Sequence, residues 1–394
     1  MTEFVTSTTG TGNLGLWPEA EGHTGIAAGD AICRAHATAA GLPAPSTYIA
    51  WLSDSHADAY CRLFGLSGTK ATKCGQDSLP VGAGPWLRTD GVPFASTIES
   101  ALDDNRIFSP PSVDESGHVI STMSAFDSAL IFTDTFPDGV SGASACADWS
   151  STNALALAGD AFSTAGDWSS IGEDIGCENS AHLICLQAGN GAPLPVLTHS
   201  GGREAFLSST TVSGNLAASP LADGASGLEA GDAICRNLAS AANLHAPQDY
   251  KALLGSSSGN ASALSRFRYD GPVYRTDGML LAHDFAELVS GRISLPLNLT
   301  ETGIYIGEGQ SAFFGDTVAW TGTLADGSPS GEDCDNWSSP FLSASSSSAV
   351  NNTGTANLGE SWLGGTTLVQ CSANNVRLFC LQDSDVIFHA EFEP

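Results

Sequence analysis

The sequence has few basic residues and little charge of either sign. It contains 14 lysines and arginines against 43 aspartates and glutamates, which gives a formal net charge of −29. Charged residues make up only 14% of the chain. Nucleic-acid backbones and anionic lipid surfaces repel such a chain, so neither is an expected partner. The acidic excess is explained by solubility or by a requirement for divalent cations or high salt.

Other features are missing altogether. No apolar run approaches the ~18 residues that are needed to cross a bilayer, so we predict no membrane span. The HExxH metalloprotease pattern and the P-loop are absent, and acidic residues are too numerous for any one pair to indicate a glycosidase. We therefore predict that the protein is not an enzyme.

Ten cysteines stand out against this background. An even number at recurring spacing favours disulfides, and disulfides indicate an oxidising compartment. A zinc site is the competing interpretation, but no CxxC pair is present. We predict a protein that is secreted or displayed at the cell surface.

The chain contains an internal duplication. FVTSTTGTGNL at residues 4–14 matches FLSSTTVSGNL at 206–216, and GIAAGDAIC at 25–33 matches GLEAGDAIC at 227–235. Both matches have an offset of 202 residues, and RTDG, a CxxW motif and CLQ recur later in the same order. The period is too long for a solenoid. The sequence predicts one domain over residues 1–188, a linker over 189–202, a second domain over 203–383 and a β-prone tail over 384–394.

Each copy has the pattern of an α+β domain. A β-prone run opens the copy, and an alanine-rich helix follows at residue 27 to about residue 40, with its twin at 229 to about 242. Gly41 and Asn243 occupy the position that ends a helix. A cysteine on the inner face of this helix is well placed to join the helix to a sheet. Short strands are predicted at 129–133, 182–186, 318–323 and 376–381, and the serine run at 343–348 is predicted to be a surface loop.

The order of these motifs resembles the C-type lectin-like fold, in particular its endostatin-like branch. The residues that carry the resemblance are Gly231–Cys235, Tyr250–Gly255, Trp320–Thr323, Cys334–Trp337 and Cys371 with Cys380, and the first copy shows the same set with Phe132 in place of Trp320. The resemblance covers nearly all of both copies. It implies two tandem domains, each with nested disulfides that join the first cysteine to the last and the second to the third. Carried over to this chain, the pairs are Cys33–Cys185, Cys146–Cys177, Cys235–Cys380 and Cys334–Cys371, which leaves Cys61–Cys74 as a local bridge.

The resemblance does not assign a ligand, because this fold serves many functions. The EPN and QPD tripeptides and the WND segment of calcium-dependent sugar-binding lectins are absent. Calcium is the one cofactor that the sequence suggests, since it takes six to eight oxygen ligands. The candidate calcium ligands are acidic residues near the second CxxW motif and in the matching stretch of the first copy: Asp326, Glu332, Asp333, Asp335, Asp134 and Asp138. The alternative for these residues is a solvated acidic loop.

Tryptophans are the candidate sugar-stacking residues. Trp149, Trp320 and Trp337 lie in the repeated motifs and are predicted to be core residues. Trp168 and Trp362 lie in loop-like sequence and are predicted to be exposed and to bind a ligand. The RTDG motifs at 88–91 and 275–278 predict a tight turn in which the arginine pairs with a carboxylate.

These observations predict an extracellular binding or adhesion module that recognises a glycan or a cell-surface protein. The alternative is a structural subunit of an extracellular filament or surface coat, which would self-associate by pairing the β-prone tail with a neighbouring molecule.

Overall fold

The computed structural model describes residues 1–120, 129–194, 201–258, 261–268, 270–289, 293, 295–307, 317–348, 362–364 and 368–384. The chain forms two compact units, Met1–Pro195 and Val196–Pro394, each with mixed α and β structure. The boundary between them falls within the predicted linker. Apart from residue 384, the predicted tail lies outside the described residues. None of the helices in these ranges is both long and apolar enough to cross a membrane.

Unit 1 is built from short elements around one longer helix. Its helices are α1 (Ile26–Ala39), α2 (Ala59–Arg62), α3 (Ile98–Asp103) and α4 (Cys146–Trp149). Its strands are β1 (Thr2–Val5), β2 (Tyr48–Ala50), β3 (Trp86–Arg88), β4 (Pro93–Ala95), β5 (Leu130–Phe132), β6 (Leu155–Asp160), β7 (Asp174–Gly176) and β8 (Ile184–Gln187). One sheet has the strand order β2-β8-β1-β3-β4, and the other has the order β5-β6-β7.

Unit 2 has the corresponding elements in the same chain order. Its helices are α5 (Gly227–Ala241), α6 (Phe285–Leu288) and α7 (Cys334–Trp337). Its strands are β9 (Arg203–Leu207), β10 (Tyr250–Ala252), β11 (Val273–Arg275), β12 (Leu280–Ala282), β13 (Val318–Trp320), β14 (Ser343–Ser348), β15 (Leu368–Gln370) and β16 (Arg377–Gln382).

The two units share one strand topology. In unit 2 the path β10-β16-β9-β11-β12 repeats the five-stranded order of unit 1, and β13-β14-β15 repeats the order β5-β6-β7. The registers also agree, because Phe4 is opposite Cys185 in unit 1 and Phe206 is opposite Cys380 in unit 2. In both units the first and last strands of the repeat are antiparallel neighbours. The duplication seen in the sequence is therefore also a duplication of topology.

The chain contains five disulfides, three in unit 1 and two in unit 2, and they are the pairs that the resemblance implies. Cys33–Cys185 and Cys235–Cys380 link α1 and α5 to the last strand of their unit, as the inward-facing helix cysteine predicts. The inner pairs are Cys146–Cys177 and Cys334–Cys371, and Cys61–Cys74 closes a local loop. The described residues include all ten cysteines, and none of them is free.

The first helix of each unit packs closely on the strand that follows it. A Cβ atom at Gly29 would lie 3.2 Å from the Cβ atom of Ala50 in β2 and 2.6 Å from Cδ1 of Leu52, so a larger residue would force these neighbours to move. The predicted helix ends agree with the structure to within two residues. Gly41 and Asn243 follow the helices with φ values of +69° and +57°, as the termination signal predicts.

The structure confirms several core and turn predictions. Trp149, Trp320 and Trp337 are fully buried. Arg88 pairs with Asp90, and Arg275 pairs with Asp277, inside the two RTDG turns. Each RTDG motif is thus a structural turn that holds a buried arginine in place.

The serine run was assigned wrongly from the sequence. Residues 343–348 form strand β14, which pairs with both β13 and β15. Serine has no strong preference for strands, but pairing on both sides satisfies its backbone, and the small side chains of Ala344 and Ser346 fit in the interior. Tertiary context therefore decides the conformation of this segment.

We expect the outer disulfide of unit 1 to contribute more stability than the local bridge. Its cysteines are 152 residues apart, whereas Cys61 and Cys74 are 13 apart. The loop-entropy relation gives about 5 kcal/mol for the longer loop and about 3 kcal/mol for the shorter one. Chemical denaturation of C33S/C185S and C61S/C74S should show this order in the free energy of unfolding of unit 1. Equal losses, or a larger loss for C61S/C74S, would contradict this account of the disulfides.

Candidate functional site

The site is organised by the CxxW turn of unit 2. All four residues of α7, Cys334–Trp337, have positive φ, between +54° and +60°, so this element is a single left-handed turn and not a right-handed helix. This left-handed turn is held at both ends: Cys334 is bonded to Cys371, and the Trp337 indole N–H donates to the carbonyl of Gly255 at 2.9 Å. Such a conformation is costly for residues other than glycine and persists only where its surroundings fix it.

Asp333 precedes the turn and fixes it to the loop after β10. Its carboxylate accepts hydrogen bonds from the backbone N–H of Asn336 at 3.0 Å and of Ser257 at 2.7 Å, and from the Ser257 hydroxyl at 2.8 Å. The side chain is buried. Burial opposes ionisation, but the accepted hydrogen bonds outweigh it and lower the pKa of Asp333 below its ordinary value of 3.8.

Two further segments complete a cleft beside the turn. The segment from Pro340 to Ser343 leads into β14, and the segment from Gln370 to Ser372 follows β15. The backbone N–H of Cys371 donates to the carbonyl of Leu342, so the two segments are joined to each other as well as to the turn. The open cleft has a volume of about 820 Å³. Its lining residues are Ser257, Gly331, Glu332, Asp333, Cys334, Asp335, Pro340, Phe341, Leu342, Ser343, Gln370 and Ser372.

The cleft combines acidic and apolar side chains. Glu332 and Asp335 are exposed, and within the described ranges neither forms an ion pair with a basic residue. Phe341 is 91% exposed, which is the highest value among the large hydrophobic side chains described, and Leu342 is 53% exposed. Apolar groups placed beside unpaired carboxylates are suited to bind a partner that is cationic and partly apolar.

The structure brings together only some of the residues predicted to bind calcium. Glu332, Asp333 and Asp335 line the cleft, but Asp326 does not and instead closes a local turn with Ser328. In unit 1, Asp134 is buried and accepts from the backbone N–H of Leu157, and burial raises its pKa. Asp138 is exposed, and its carboxylate accepts a hydrogen bond from the backbone N–H of Val140 within a turn. Calcium binding by these residues stays a prediction.

A different group in unit 1 has metal-ligand chemistry. One ligand atom from each of Asp54, His56 and Asp148 lies within 4.8 Å of the other two. Among the described residues, these three are close enough together to hold a metal ion. Asp148 also binds the backbone N–H and hydroxyl of Ser55, at 2.9 and 3.0 Å. Ser55 corresponds to Ser257, so Asp148 performs in unit 1 the structural role that Asp333 performs in unit 2.

The predicted exposure of Trp168 and Trp362 is wrong. Trp168 is fully buried, and its ring packs 5.1 Å from Trp51, measured between centroids. Trp362 is 1% exposed; its ring lies 5.2 Å from Phe379, and its indole N–H donates to the carbonyl of Leu288. Trp168 ends a short 3₁₀ helix, Ala165–Trp168, and Leu363 beside Trp362 is buried as well. Both tryptophans face inward because burial removes a large apolar surface from water.

Phe341 was missed by the sequence analysis. Its neighbours, Pro340 and Leu342, make it resemble part of a short core segment, and no local pattern distinguishes an exposed phenylalanine from a buried one. The acidic residues of the cleft were found because they are adjacent in sequence. The opposite walls could not be assigned to the same site without the pairing of β14 with β15.

We expect Asp333 to stabilise unit 2 in a pH-dependent way. Because its pKa is lowered in the folded state, its contribution is present above pH 3.8 and is lost as the pH falls through the lowered value. Asp333→Ala, which introduces the residue found at the matching position Ala145, should lower the free energy of unfolding by about 1–3 kcal/mol at neutral pH.

Chemical denaturation followed by tryptophan fluorescence at several pH values would measure this effect. The matched control is the exposed Asp335→Ala, which should change stability by less than about 0.5 kcal/mol. The difference between Asp333→Ala and the unaltered protein should shrink below about pH 4. A difference of the same size at neutral and acid pH would show that Asp333 is not the ionised acceptor.

Comparison with protein-family models and with curated proteins assigns no family to the chain. No protein-family model matches the sequence, and no curated protein matches it. We therefore infer the function of this chain from the geometry and chemistry of its own residues.

Proposed function

We propose that the protein is an extracellular binding or adhesion module that recognises a surface protein through the cleft of unit 2. Five disulfides support an oxidising, extracellular location. The observation that carries the proposal is the cleft itself, in which a highly exposed phenylalanine stands beside carboxylates that lack a basic partner.

Charge favours a cationic ligand. The chain has a net charge of −29, and the cleft adds Glu332 and Asp335 at its rim. This field attracts lysine and arginine side chains and repels sulfated or sialylated glycans and acidic proteins. Because the two rim carboxylates are exposed, they contribute to recognition and association rate more than to tight binding.

The apolar part of the cleft supplies an anchor for the ligand. Burial of an aromatic side chain at the centre of an interface commonly provides a large share of the binding energy. Phe341 is the aromatic residue among those that line the cleft. We infer that the ligand segment places an aliphatic or aromatic side chain on Phe341 and a basic side chain next to Glu332 or Asp335.

The observations favour a protein ligand over a glycan. Sugar-binding sites generally stack rings on exposed tryptophan or tyrosine, and the two tryptophans predicted for that role are inside the core. A neutral glycan can donate hydroxyl hydrogen bonds to these carboxylates, but it carries no positive charge that would complement theirs. Binding of such a glycan is the alternative outcome of the experiment below.

The endostatin-like branch of the C-type lectin-like fold remains our proposal for the ancestry of the two units. The nested disulfides and the shared order of strands and helix support it. The alternative function, a filament or coat subunit, depends on residues 384–394, nearly all of which lie outside the described residues, so no contact favours it.

A peptide array tests the proposal. Peptides in which lysine or arginine adjoins leucine or phenylalanine should bind the full-length protein, and binding should weaken as salt concentration rises. Peptides with glutamate in place of the basic residue should not bind. A neutral glycan array, with and without EDTA, is tested in parallel.

Matched variants locate the binding site. Phe341→Ala and the pair E332Q/D335N should each weaken binding by at least about tenfold, which corresponds to about 1.4 kcal/mol. Leu324→Ala removes an exposed leucine of unit 2 that does not line the cleft and should leave binding unchanged. The proposal is wrong if glycans bind and basic peptides do not, or if the Leu324 variant loses as much affinity as the cleft variants.

A further inference from the structure

Unit 1 contains a hydroxyl, an imidazole and a carboxylate connected in a line. The Thr8 Oγ1 atom lies 3.0 Å from His36 Nε2, and His36 Nδ1 lies 2.9 Å from Glu115 Oε1. This is the connectivity by which an imidazole base activates a hydroxyl nucleophile while a carboxylate orients the ring. The members are 28 and 79 residues apart, so no sequence motif reveals them.

The hydrogen bonds around Glu115 fix the protonation pattern of this line. Burial opposes ionisation of Glu115, but hydrogen bonds from His36 and Ser7 outweigh it and lower its pKa to about 2. The backbone N–H and hydroxyl of Ser7 both donate to this carboxylate. An ionised carboxylate only accepts hydrogen bonds, so His36 Nδ1 carries a proton. In the tautomer protonated at Nδ1 alone, His36 Nε2 accepts from the Thr8 hydroxyl, which is the arrangement that a general base requires.

The hydrogen-bonded chain of Glu115, His36 and Thr8 runs from the interior of unit 1 to its surface. His36 is 6% exposed and Glu115 is 9% exposed, whereas Thr8 is an exposed residue. Thr8 also lines an open cleft of about 470 Å³, together with Gly10, Leu16, Trp17 and Glu19. A small substrate can therefore reach the hydroxyl while its base stays shielded from bulk water.

Unit 2 shows that the fold does not require this imidazole. There Ser209 donates its backbone N–H and its hydroxyl to Glu301, as Ser7 does to Glu115. Thr210 is exposed at the position that matches Thr8. Leu238 occupies the position of His36 and is buried to the same extent, with 6% exposure. The same scaffold thus closes around an apolar side chain, so a buried histidine in unit 1 is a departure that packing does not explain.

The other histidine near this site does not serve as the base. His182 Nδ1 lies 2.6 Å from the carbonyl of Thr6, and burial lowers the pKa of this histidine. It is therefore neutral at physiological pH and adds no positive charge that would compete for Glu115.

Against the expectation from the sequence that the protein is not an enzyme, we propose that Thr8 is a nucleophile that attacks carboxylic esters. His36 is its general base, and Glu115 positions His36. The Thr8 oxygen forms a bond to the ester carbonyl carbon, and its proton passes to His36 Nε2. The bond from that carbon to the alcohol oxygen then breaks, and the alcohol leaves with the proton from His36. Water attacks the acyl-threonine with His36 again taking a proton, the acyl–oxygen bond breaks, and a carboxylic acid and the Thr8 hydroxyl are regenerated.

This site is separate from the cleft proposed for ligand binding, and its test does not depend on that function. The full-length protein is incubated with p-nitrophenyl acetate, and release of p-nitrophenolate is followed while peptide mass spectrometry quantifies acetylation at Thr8 and Thr210. General-base assistance is worth about 10²–10⁴-fold, so Thr8 should acetylate at least about 100-fold faster than Thr210. Thr210 is the control within the same molecule.

Variants distinguish the role of His36 as the base from the role of Thr8 as the nucleophile. Thr8→Val should abolish the fast release of p-nitrophenolate, and His36→Leu, which introduces the side chain found in unit 2, should reduce the rate at Thr8 to that at Thr210. His36→Gln serves as a second variant that retains a polar side chain without a base, and it should show the same loss. Equal acetylation of Thr8 and Thr210 in the unaltered protein, or unchanged release in Thr8→Val, would overturn the proposal.

Discussion

Each unit depends on a nested pair of disulfides. The outer bond joins the first helix to the last strand across 152 or 145 residues, and the inner bond ties the CxxW turn to the segment before that strand across 31 or 37 residues. Long closed loops restrict the unfolded chain strongly. Because the ends of the irregular region are held covalently, the region needs few regular elements of its own. This explains how short strands and single-turn helices suffice to organise units of this size.

The same constraint leaves the loops free to diverge. The two units keep one strand order, one register between first and last strands, and one serine–carboxylate contact beside the CxxW turn. Yet that carboxylate is Asp148 in unit 1 and Asp333 in unit 2, three positions apart within the turn region. His36 is likewise matched by Leu238. Asp333, His36 and Leu238 are all buried, so the two units differ in residues that support the loops as well as in the loops themselves.

The sequence predicted the features that local chemistry controls. Alanine-rich composition and the residues Gly41 and Asn243 predicted the extent of the first helices, and the repeated cysteines predicted the disulfides. Features that depend on distant partners were missed or wrong. Trp168 and Trp362 are buried by rings from remote segments, residues 343–348 become a strand because strands on both sides pair with them, and the contacts between Thr8, His36 and Glu115 join three separate regions. In the cleft, the acidic wall could be predicted, but Phe341 could not.

The central claim is that the inner disulfide holds the walls of the unit 2 cleft while the outer disulfide and the sheet hold the core. Hydrogen exchange followed by mass spectrometry on C334S/C371S tests this claim most directly. We expect faster exchange at residues 331–343 and 370–372, with β9 and β16 as protected as in the unaltered protein. Unchanged protection of the cleft walls, or loss of protection throughout unit 2, would contradict the account.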